Sequence, residues 1–392
     1  MIETKFKKTD IGLIPEDWET KHLSQIMNIR SGGSITGDAF VTNGKYPVYG
    51  GNGIRGFLNS FNLDGNYILI GRVGALCGNI HFTNGKFFAS EHALVCHPID
   101  KYNSTFFASI LEGMQLGQYS GASARPVLAA KKNERLIIPY PPIEEQDKIG
   151  KALVDVDELI DNLKKLVEKK RAIKQGAMGQ LLTGKLRLPG FTEPWADCTL
   201  GELGIFIKGK GISRSESQSG NIPAIRYGEI YTFHNDYIKT YYSHISREVA
   251  NRSFKLESGD LCFACSGETL EEIGKTVAFV DNCEAYAGGD IIILRPQKEI
   301  CPTFWGFRLN MPDIVIQKAN KGHGLSIMHI SSDALSEIFV TCPQSLNEQQ
   351  AITKVLTDMD KEIADLEAKL KKYEQVKQGM MQQLLTGKIR LI

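Results

Sequence analysis

Apolar residues recur in alternating steps of four and three along two stretches of this chain. In the first they fall at Ile149, Leu153, Val156, Ile160, Leu163 and Val167; in the second at Ile352, Leu356, Met359, Ile363, Leu366, Leu370 and Tyr373. Such steps put one narrow apolar seam on a helix, the pattern of coiled-coil packing. Neither stretch contains proline, so each predicts one uninterrupted helix of about 35–40 residues, roughly 50–60 Å long. A long helix with a single seam needs a partner, and the simplest partner is the other copy. The other readings are two helices docked separately on globular parts, and a chain that dimerises through them.

The two stretches belong to an internal repeat, residues 143–188 aligning with 346–391 without a gap. Glu145-Gln146 answers to Glu348-Gln349, Gln175-Gly176 to Gln378-Gly379, and Thr183-Gly184-Lys185 to Thr386-Gly387-Lys388. A repeat of this kind sets the architecture before single elements are assigned. The globular segments between the copies each show short apolar stretches broken by Gly and Asn, which predict short strands and tight turns. A helix follows (104–116 and 303–311), then a polar loop (after Tyr119, and 318–330), then a strand that leads into the long helix. Pro139, Pro141 and Pro142 end the first such strand and start its helix, because proline is tolerated in a first helical turn and not in the interior. Trp195 with Thr199-Leu200 echoes Trp18 with His22-Leu23, so the opening of each segment repeats as well. The expected divisions are 1–142, 143–188, 189–345 and 346–392.

Charge changes this picture little. Lys plus Arg is 46 and Asp plus Glu is 45, a balance that neither supports nor excludes nucleic acid; a DNA binder would have to concentrate positive charge locally. The first residues hold no apolar run of the signal-peptide kind, and no stretch approaches the roughly 18 apolar residues of a membrane span. With eight scattered cysteines, the expected compartment is the reducing cytoplasm.

Several motif matches fail on context. Gly51-Asn52-Gly53-Ile54-Arg55-Gly56 satisfies the dinucleotide fingerprint as a string, but no helix pattern follows it. Cys262 and Cys265 have metal-like spacing without a second pair and lie in an apparent strand, so they read as buried thiols. Thr183-Gly184-Lys185 lacks the preceding glycines of a phosphate loop. Pro139-Tyr140-Pro141-Pro142 lacks the leading Asn or Asp of a methyltransferase loop. No spacing argues for a nuclease or a hydrolase.

The segment from Pro139 through Glu145-Gln146, into a long helix ending at Gln180-Leu181-Leu182-Thr183-Gly184-Lys185, returns at Glu348-Gln349 and Gln383-Leu384-Leu385-Thr386-Gly387-Lys388. This pattern resembles the specificity subunit of a type I restriction–modification system, over essentially the whole chain. Ile222-Pro223-Ala224-Ile225-Arg226, Ser258-Gly259-Asp260-Leu261 and Gly288-Gly289-Asp290 resemble the second recognition domain of that family. In the second copy Cys342-Pro343-Gln344-Ser345 replaces the proline-rich lead of the first.

The resemblance implies a fold and a role. The fold class would be α+β: two mixed, mostly β target recognition domains separated by two long antiparallel helices forming an intramolecular coiled coil. Each globular domain would read one half of a split duplex DNA target. Two methyltransferase subunits would bind the helical frame, and restriction/translocase subunits would join them. The chain itself would carry no catalytic group, no metal and no cofactor; S-adenosylmethionine would sit on the partner methyltransferase, which flips out and methylates an adenine. A helical pair of about 50 Å has the reach to hold two readers near half-sites roughly 34–36 Å apart.

Bases are read by Arg, Lys, Asn, Gln and small hydroxyls, and phosphates are held by Lys, Arg, Ser and Thr. The DNA-contact candidates in the first domain are therefore Tyr46, Arg55, Arg72, His92, Tyr119, Ser120, Ser123 and Arg125. In the second they are Arg214, Arg226, Tyr227, Ser266, Lys318, Asn320, Lys321 and His323. Basic clusters on the helices (Lys164, Lys165, Lys169, Lys170, Arg171 and Lys174; Lys371, Lys372 and Lys377) are candidates for backbone contact, although lysine is also favoured by the dipole near a helix C-terminus. Apolar residues off the seam are candidates for subunit binding: Leu159, Leu166, Ile173, Met178, Leu182, Met380 and Leu385. Their alternative is packing on the chain's own globular domains. Two other function classes stay open, a scaffold of two modules binding protein or glycan and an enzyme with an unrecognised site. Salt- and sequence-dependent DNA binding separates the first class from both.

Overall fold

Both seams lie on uninterrupted helices of 39 residues, Ile143–Leu181 and Leu346–Leu384. A computed structural model describes residues 4–120, 126–269, 272–324 and 327–392. The chain divides into two units, the first comprising Met1–Leu166 with Leu366–Ile392 and the second Val167–Asp365. Each unit thus holds one globular part, the first half of the helix that follows it and the last half of the other helix.

The helices pair antiparallel within each unit. In the first, Asp157 meets Lys377 at 2.7 Å and Lys164 meets Glu374 at 3.7 Å. In the second, Lys170 meets Glu362 at 2.7 Å and Lys174 meets Asp360 at 2.6 Å. Rising along one helix therefore descends the other. Ile160, Leu163 and Val167 of the seam are buried. The early seam residues go elsewhere: Ile149 and Leu153 join the globular core of the first unit, Ile352 and Leu356 that of the second. Among the described residues no helix is long and apolar enough to cross a membrane.

After an N-terminal hairpin (Phe6–Thr9 and Gly12–Pro15), the core strands of the first unit are β1 (Glu19–His22), β2 (Met27–Ser31), β3 (Tyr46–Gly50), β4 (Gly53–Leu58), β5 (Leu63–Asp64), β6 (Tyr67–Gly71), β7 (Ile80–Thr83), β8 (Lys86–Ala89), β9 (Ala93–Pro98) and β10 (Ile137–Tyr140). They form sheets in the orders β4-β3-β8-β5 and β2-β9-β6-β7, with a separate β1-β10 pair. The second unit has β11 (Ala196–Thr199), β12 (Gly204–Lys208), β13 (Ile222–Ile225), β14 (Ser243–Ile245), β15 (Phe254–Lys255), β16 (Leu261–Ala264), β17 (Thr276–Ala278), β18 (Tyr286–Ala287), β19 (Ile291–Pro296) and β20 (Phe339–Cys342). Its orders are β14-β13-β18-β15, β12-β19-β16-β17 and β11-β20. The second set is the first repeated, including the parallel pairs β3-β8 and β13-β18. Sequence similarity between the globular parts is weak, but the topology of these core sheets is duplicated; the pairs Phe6–Thr9 with Gly12–Pro15 and Ser266–Gly267 with Met328–His329 each belong to one unit. The middle of β9 is buried on both faces, and so is that of β19, which is why they read as continuous apolar runs rather than as alternation.

Four helices complete the frame: α1 (Ser104–Gly113), α2 (Ile143–Leu181), α3 (Pro302–Leu309) and α4 (Leu346–Leu384). α1 starts where the Asn103 side chain accepts the Phe106 amide at 2.8 Å, and it stops short of 116 as the chain turns at Gln115 with φ 48°. The start of one expected loop, 318–321 of 318–330, is the end of a helix instead. Residues Pro312–Lys321 are helical, opened by proline at the first position and turning Ile314 and Lys318 into the core. Its charged composition hid that two-residue inner face from periodicity.

The repeated motifs make one arrangement twice. In the first unit the Glu145 carboxylate, 2% exposed, accepts the Trp18 indole N–H at 2.8 Å and both Nε and Nη2 of Arg390 at 2.6 and 2.8 Å. In the second, Glu348 accepts the Trp195 indole N–H at 3.2 Å and Nε and Nη2 of Arg187 at 2.6 and 2.8 Å. Each knot joins the first turn of one long helix, the tail after the other, and the tryptophan ahead of the first strand of that unit's core. The neighbouring glutamines bond the capping residues of α1 and α3. Gln146 accepts the Asn103 amide at 3.1 Å and donates to the Pro141 carbonyl at 2.8 Å. Gln349 accepts the Cys301 amide and donates to the Pro343 carbonyl, both at 2.9 Å. The glycine of each Thr-Gly-Lys lets the tail pass against its tryptophan. Gly387 has φ +68°, and a Cβ there would lie 2.4 Å from Pro15 and 3.2 Å from Trp18, so only glycine is unstrained.

Removing either glutamate takes the buried acceptor from its arginine and its indole N–H. Arg390 keeps the Asp17 carboxylate, at 2.9 Å from Nη1 and 2.7 Å from Nη2, and Arg187, 25% exposed, keeps the Glu193 carbonyl at 2.8 Å and water. Glu348→Ala and Glu145→Ala are therefore each expected to cost about 2–3 kcal/mol, read by urea unfolding of the full chain.

Candidate nucleic-acid interface

In the second unit the loops after β12 and β13 and the loop between β18 and β19 meet at one end of the sheets. They pack backbone to backbone. A Cβ on Gly209 would lie 2.1 Å from the Gly288 carbonyl oxygen, and the Gly289 amide donates to the Gly211 carbonyl at 2.9 Å. Ile212 and Asp290 are both left-handed, with φ of 58° and 59°. That backbone is costly for a β-branched residue; Ile212 is held there by burial among Ala224, Ile245 and Val249.

These loops enclose an open cleft of about 330 Å³ lined by Arg214, Arg226, Tyr227, Arg252, Glu216 and Asp290 among others. Arg214, Arg226 and Tyr227, all expected from sequence, are thereby brought together; Arg252 was missed because it lies at the end of a short helix with no motif around it. Glu216 accepts the Ser213 amide at 2.9 Å and hydroxyl at 2.7 Å and pairs with Arg252. The Ser213 bonds, with Arg252 assisting, hold its carboxyl below the usual range. Among the described residues, the guanidinium groups of Arg214 and Arg226 make no hydrogen bond or ion pair. The Glu229 carboxyl, on which the Arg226 charge acts, is buried and already bonded by the Ser243 hydroxyl; burial pushes it up.

The neighbouring loop is tied to the cleft by the Cys265 amide, which donates to the Asp290 carbonyl at 3.0 Å. There Ser266, nearly buried, lies 3.0 Å from His329 Nδ1, and Tyr231 donates to its carbonyl at 3.0 Å. His323 is exposed and bridges His329 through the backbone. Asn320 is exposed, and Lys321 pairs with Glu337.

Lys318 corrects the expectation. It is fully buried, and its ammonium donates to the Gly274 carbonyl at 2.6 Å and the Leu309 carbonyl at 2.9 Å. It closes the inside of this unit and does not face a ligand; burial pushes its pKa down to about 7.

At the matching end of the first unit the chemistry differs. Arg72 donates to the Ser31 hydroxyl at 3.0 Å and the Glu91 carbonyl at 3.3 Å, and His92 lies 3.4 Å from the Glu91 carboxylate. Glu91 also accepts the Ile35 amide at 3.2 Å. Arg72 and His92 thus sit together around Glu91. Arg55 is exposed on β4, and Tyr46, on β3, is edge-on to Phe61 at 5.0 Å. Tyr119 ends a short turn, after which the Ser120 hydroxyl donates to the Gly117 carbonyl at 2.7 Å. Ser123 and Arg125 lie outside the described residues.

The apolar candidates divide. Met178 and Leu182 are buried in the globular core of the second unit; Leu385 is buried in that of the first, with Met380 packed against it. This corrects their assignment to subunit binding: the last turn of each long helix is core, so at that end the off-seam face closes on the chain itself. Leu159 is half-buried, while Leu166 and Ile173 are exposed. Leu186, Val376 and Ile389 are exposed as well and were missed. The repeat held the signal, because Ile173 and Leu186 occupy the positions of Val376 and Ile389 in the other copy. Of the helix lysines, Lys164, Lys170, Lys174 and Lys377 are engaged in ion pairs.

Comparison with known proteins agrees with this duplicated design. Residues 15–173 and 192–378 match the type I restriction modification DNA specificity domain. The chain is 38% identical over 147 residues to the EcoprrI type I restriction enzyme specificity subunit of Escherichia coli, a match spanning 36% of this chain and 37% of that protein. It is 25% identical to the putative MjaX specificity subunit of Methanocaldococcus jannaschii across 99% of this chain and 97% of that one. In fold it is similar to the crystal structure of the type I restriction–modification S subunit from M. genitalium, with a TM-score of 0.65, 17% identity, and coverage of 98% and 99% of the two chains.

The buried position of Lys318 makes it a stability residue. Lys318→Met takes the ammonium donor from the Leu309 carbonyl and leaves the Gly274 carbonyl with the Thr276 hydroxyl at 3.0 Å; it is expected to destabilise the second unit by about 1–3 kcal/mol in urea unfolding. DNA affinity of the folded fraction should stay unchanged.

Proposed function

The chain belongs to the type I restriction modification DNA specificity family, and on that premise we propose that it reads a bipartite duplex DNA target and assembles the methyltransferase and restriction complex on it, supplying no catalytic group itself. The observation that carries this reading is the duplicated sheet topology with unlike loop chemistry, mounted on a repeated frame. One topology used twice with different loop ends is the arrangement expected of two readers for two unlike half-sites. Each globular part would read one half-site. The continuous helices α2 and α4, 39 residues each and so about 58 Å long, would fix the spacer between them. A flexible linker would leave that spacing undefined.

The frame also supports a partner stoichiometry. Ile173 with Leu186, and Val376 with Ile389, present exposed aliphatic residues at matching repeat positions. Similar surfaces presented twice suit two copies of one partner, here the methyltransferase, which would carry S-adenosylmethionine. The restriction/translocase subunits would join that assembly, and it would act on cytoplasmic DNA.

Adenine methylation should be mapped in DNA from cells expressing this chain with its methyltransferase, and in cells lacking the chain. The expected result is one split motif, marked in both halves and lost without the chain. An active methyltransferase with no chain-dependent mark would overturn the reading in favour of a scaffold binding protein or glycan. Ile173→Glu and Val376→Glu should each weaken capture of one methyltransferase by at least tenfold or so, and the double variant that of both. Mass measurement of the complex then gives one and no bound copies.

A further inference from the structure

The cleft of the second unit carries both signs of charge, and that mixture says what faces it. A surface built for the DNA backbone is lined by cations, because carboxylates repel phosphate. Here the Asp290 carboxylate makes no hydrogen bond or ion pair among the described residues, in the same cleft as the guanidinium groups of Arg214 and Arg226. A guanidinium fork matches the O6 and N7 acceptors of guanine, and a carboxylate accepts from the N4 amine of cytosine. The two together fit the major-groove edge of one base pair and fit a phosphate poorly.

The two arginines are not equivalent. Arg226 is half-buried at the end of β13, followed by Tyr227, while Arg214 is exposed on the rim. A half-buried guanidinium loses less freedom on binding and points more reproducibly, whereas an exposed one serves where only charge is needed. The left-handed backbone that places Asp290 is stored strain of the kind found at ligand clamps.

We infer that this cleft reads a G·C base pair in one half of the target, with Arg226 on guanine, Asp290 on cytosine and Arg214 on a flanking phosphate. The inference rests on the DNA-reading function proposed above and adds the base pair and the residues that choose it. In the first unit Arg72 is engaged by Ser31 and Glu91, so it does not present an open fork as Arg226 does.

The test uses the complete methyltransferase complex and duplex oligonucleotides carrying the mapped motif, each position of the half-site being varied in turn. With Arg226→Gln, discrimination in favour of G at one position should fall by about tenfold or more while the remaining positions are read as before. With Arg214→Gln, all sequences should bind more weakly alike, and the slope of log affinity against log salt should drop by about one. Asp290→Asn keeps the left-handed backbone, which asparagine tolerates, so it serves if Arg226→Gln fails to fold. It should relax the same base pair. Uniformly tighter binding in Asp290→Asn would show that the carboxylate faces phosphates and would overturn the assignment. So would unchanged discrimination in Arg226→Gln. A wild-type complex that leaves no chain-dependent mark would instead remove the DNA-reading function itself, so the two failures are distinguishable.

Discussion

The structure depends on a buried carboxylate that it places twice. Glu145 and Glu348 are almost fully out of water, which is tolerable for a charge only because an arginine and an indole N–H meet it in each knot. Each partner comes from a different part of the chain: the start of one long helix, the tail after the other, and the tryptophan ahead of the first strand. The adjacent Gln146 and Gln349 extend the tie to the helices α1 and α3. A buried pair of this kind adds little net stability over an apolar substitute. Its contribution is to permit one register, because a slipped helix would strand a charge inside the protein.

A frame fixed in that way leaves the loop ends of the sheets free to differ. Both units carry the same strand orders, and at the same end of each the chain has built unlike surfaces. In the first unit, Arg72 and His92 close around Glu91. In the second, Arg214, Arg226 and Asp290 line an open cleft. Topology therefore does not decide what is bound; side chains at the loop ends do. The exposed aliphatic pairs Ile173/Val376 and Leu186/Ile389 follow the opposite rule and match between copies, as a surface for a repeated partner should.

How far the sequence revealed this varies with the range of the interaction. The seams, the internal repeat and the strand-rich segments are local or periodic signals, and the elements appear where those signals place them. Glu-Gln and Thr-Gly-Lys were legible as repeated motifs, but their purpose was not, since Arg390 and Glu145 are far apart in sequence and meet only in the fold. Met178, Leu182 and Leu385 look like a free helix face until the globular core is folded around them. Lys318 looks like a loop cation because two inward residues are too few to show a period in Pro312–Lys321. Arg214, Arg226 and Tyr227, chosen as polar loop residues, share one cleft, a grouping that only the fold reveals.

The most direct measurement exchanges residues 196–342, from the start of β11 to the end of β20, for the matching segment of a second specificity chain, and maps the methylated motif of the resulting complex. The knots lie almost wholly outside that segment, so the frame should persist. The account predicts that one half of the motif changes to that of the donor, while the other half and the spacer length are retained. A motif altered in both halves, or a changed spacer, would contradict independent readers on a fixed frame.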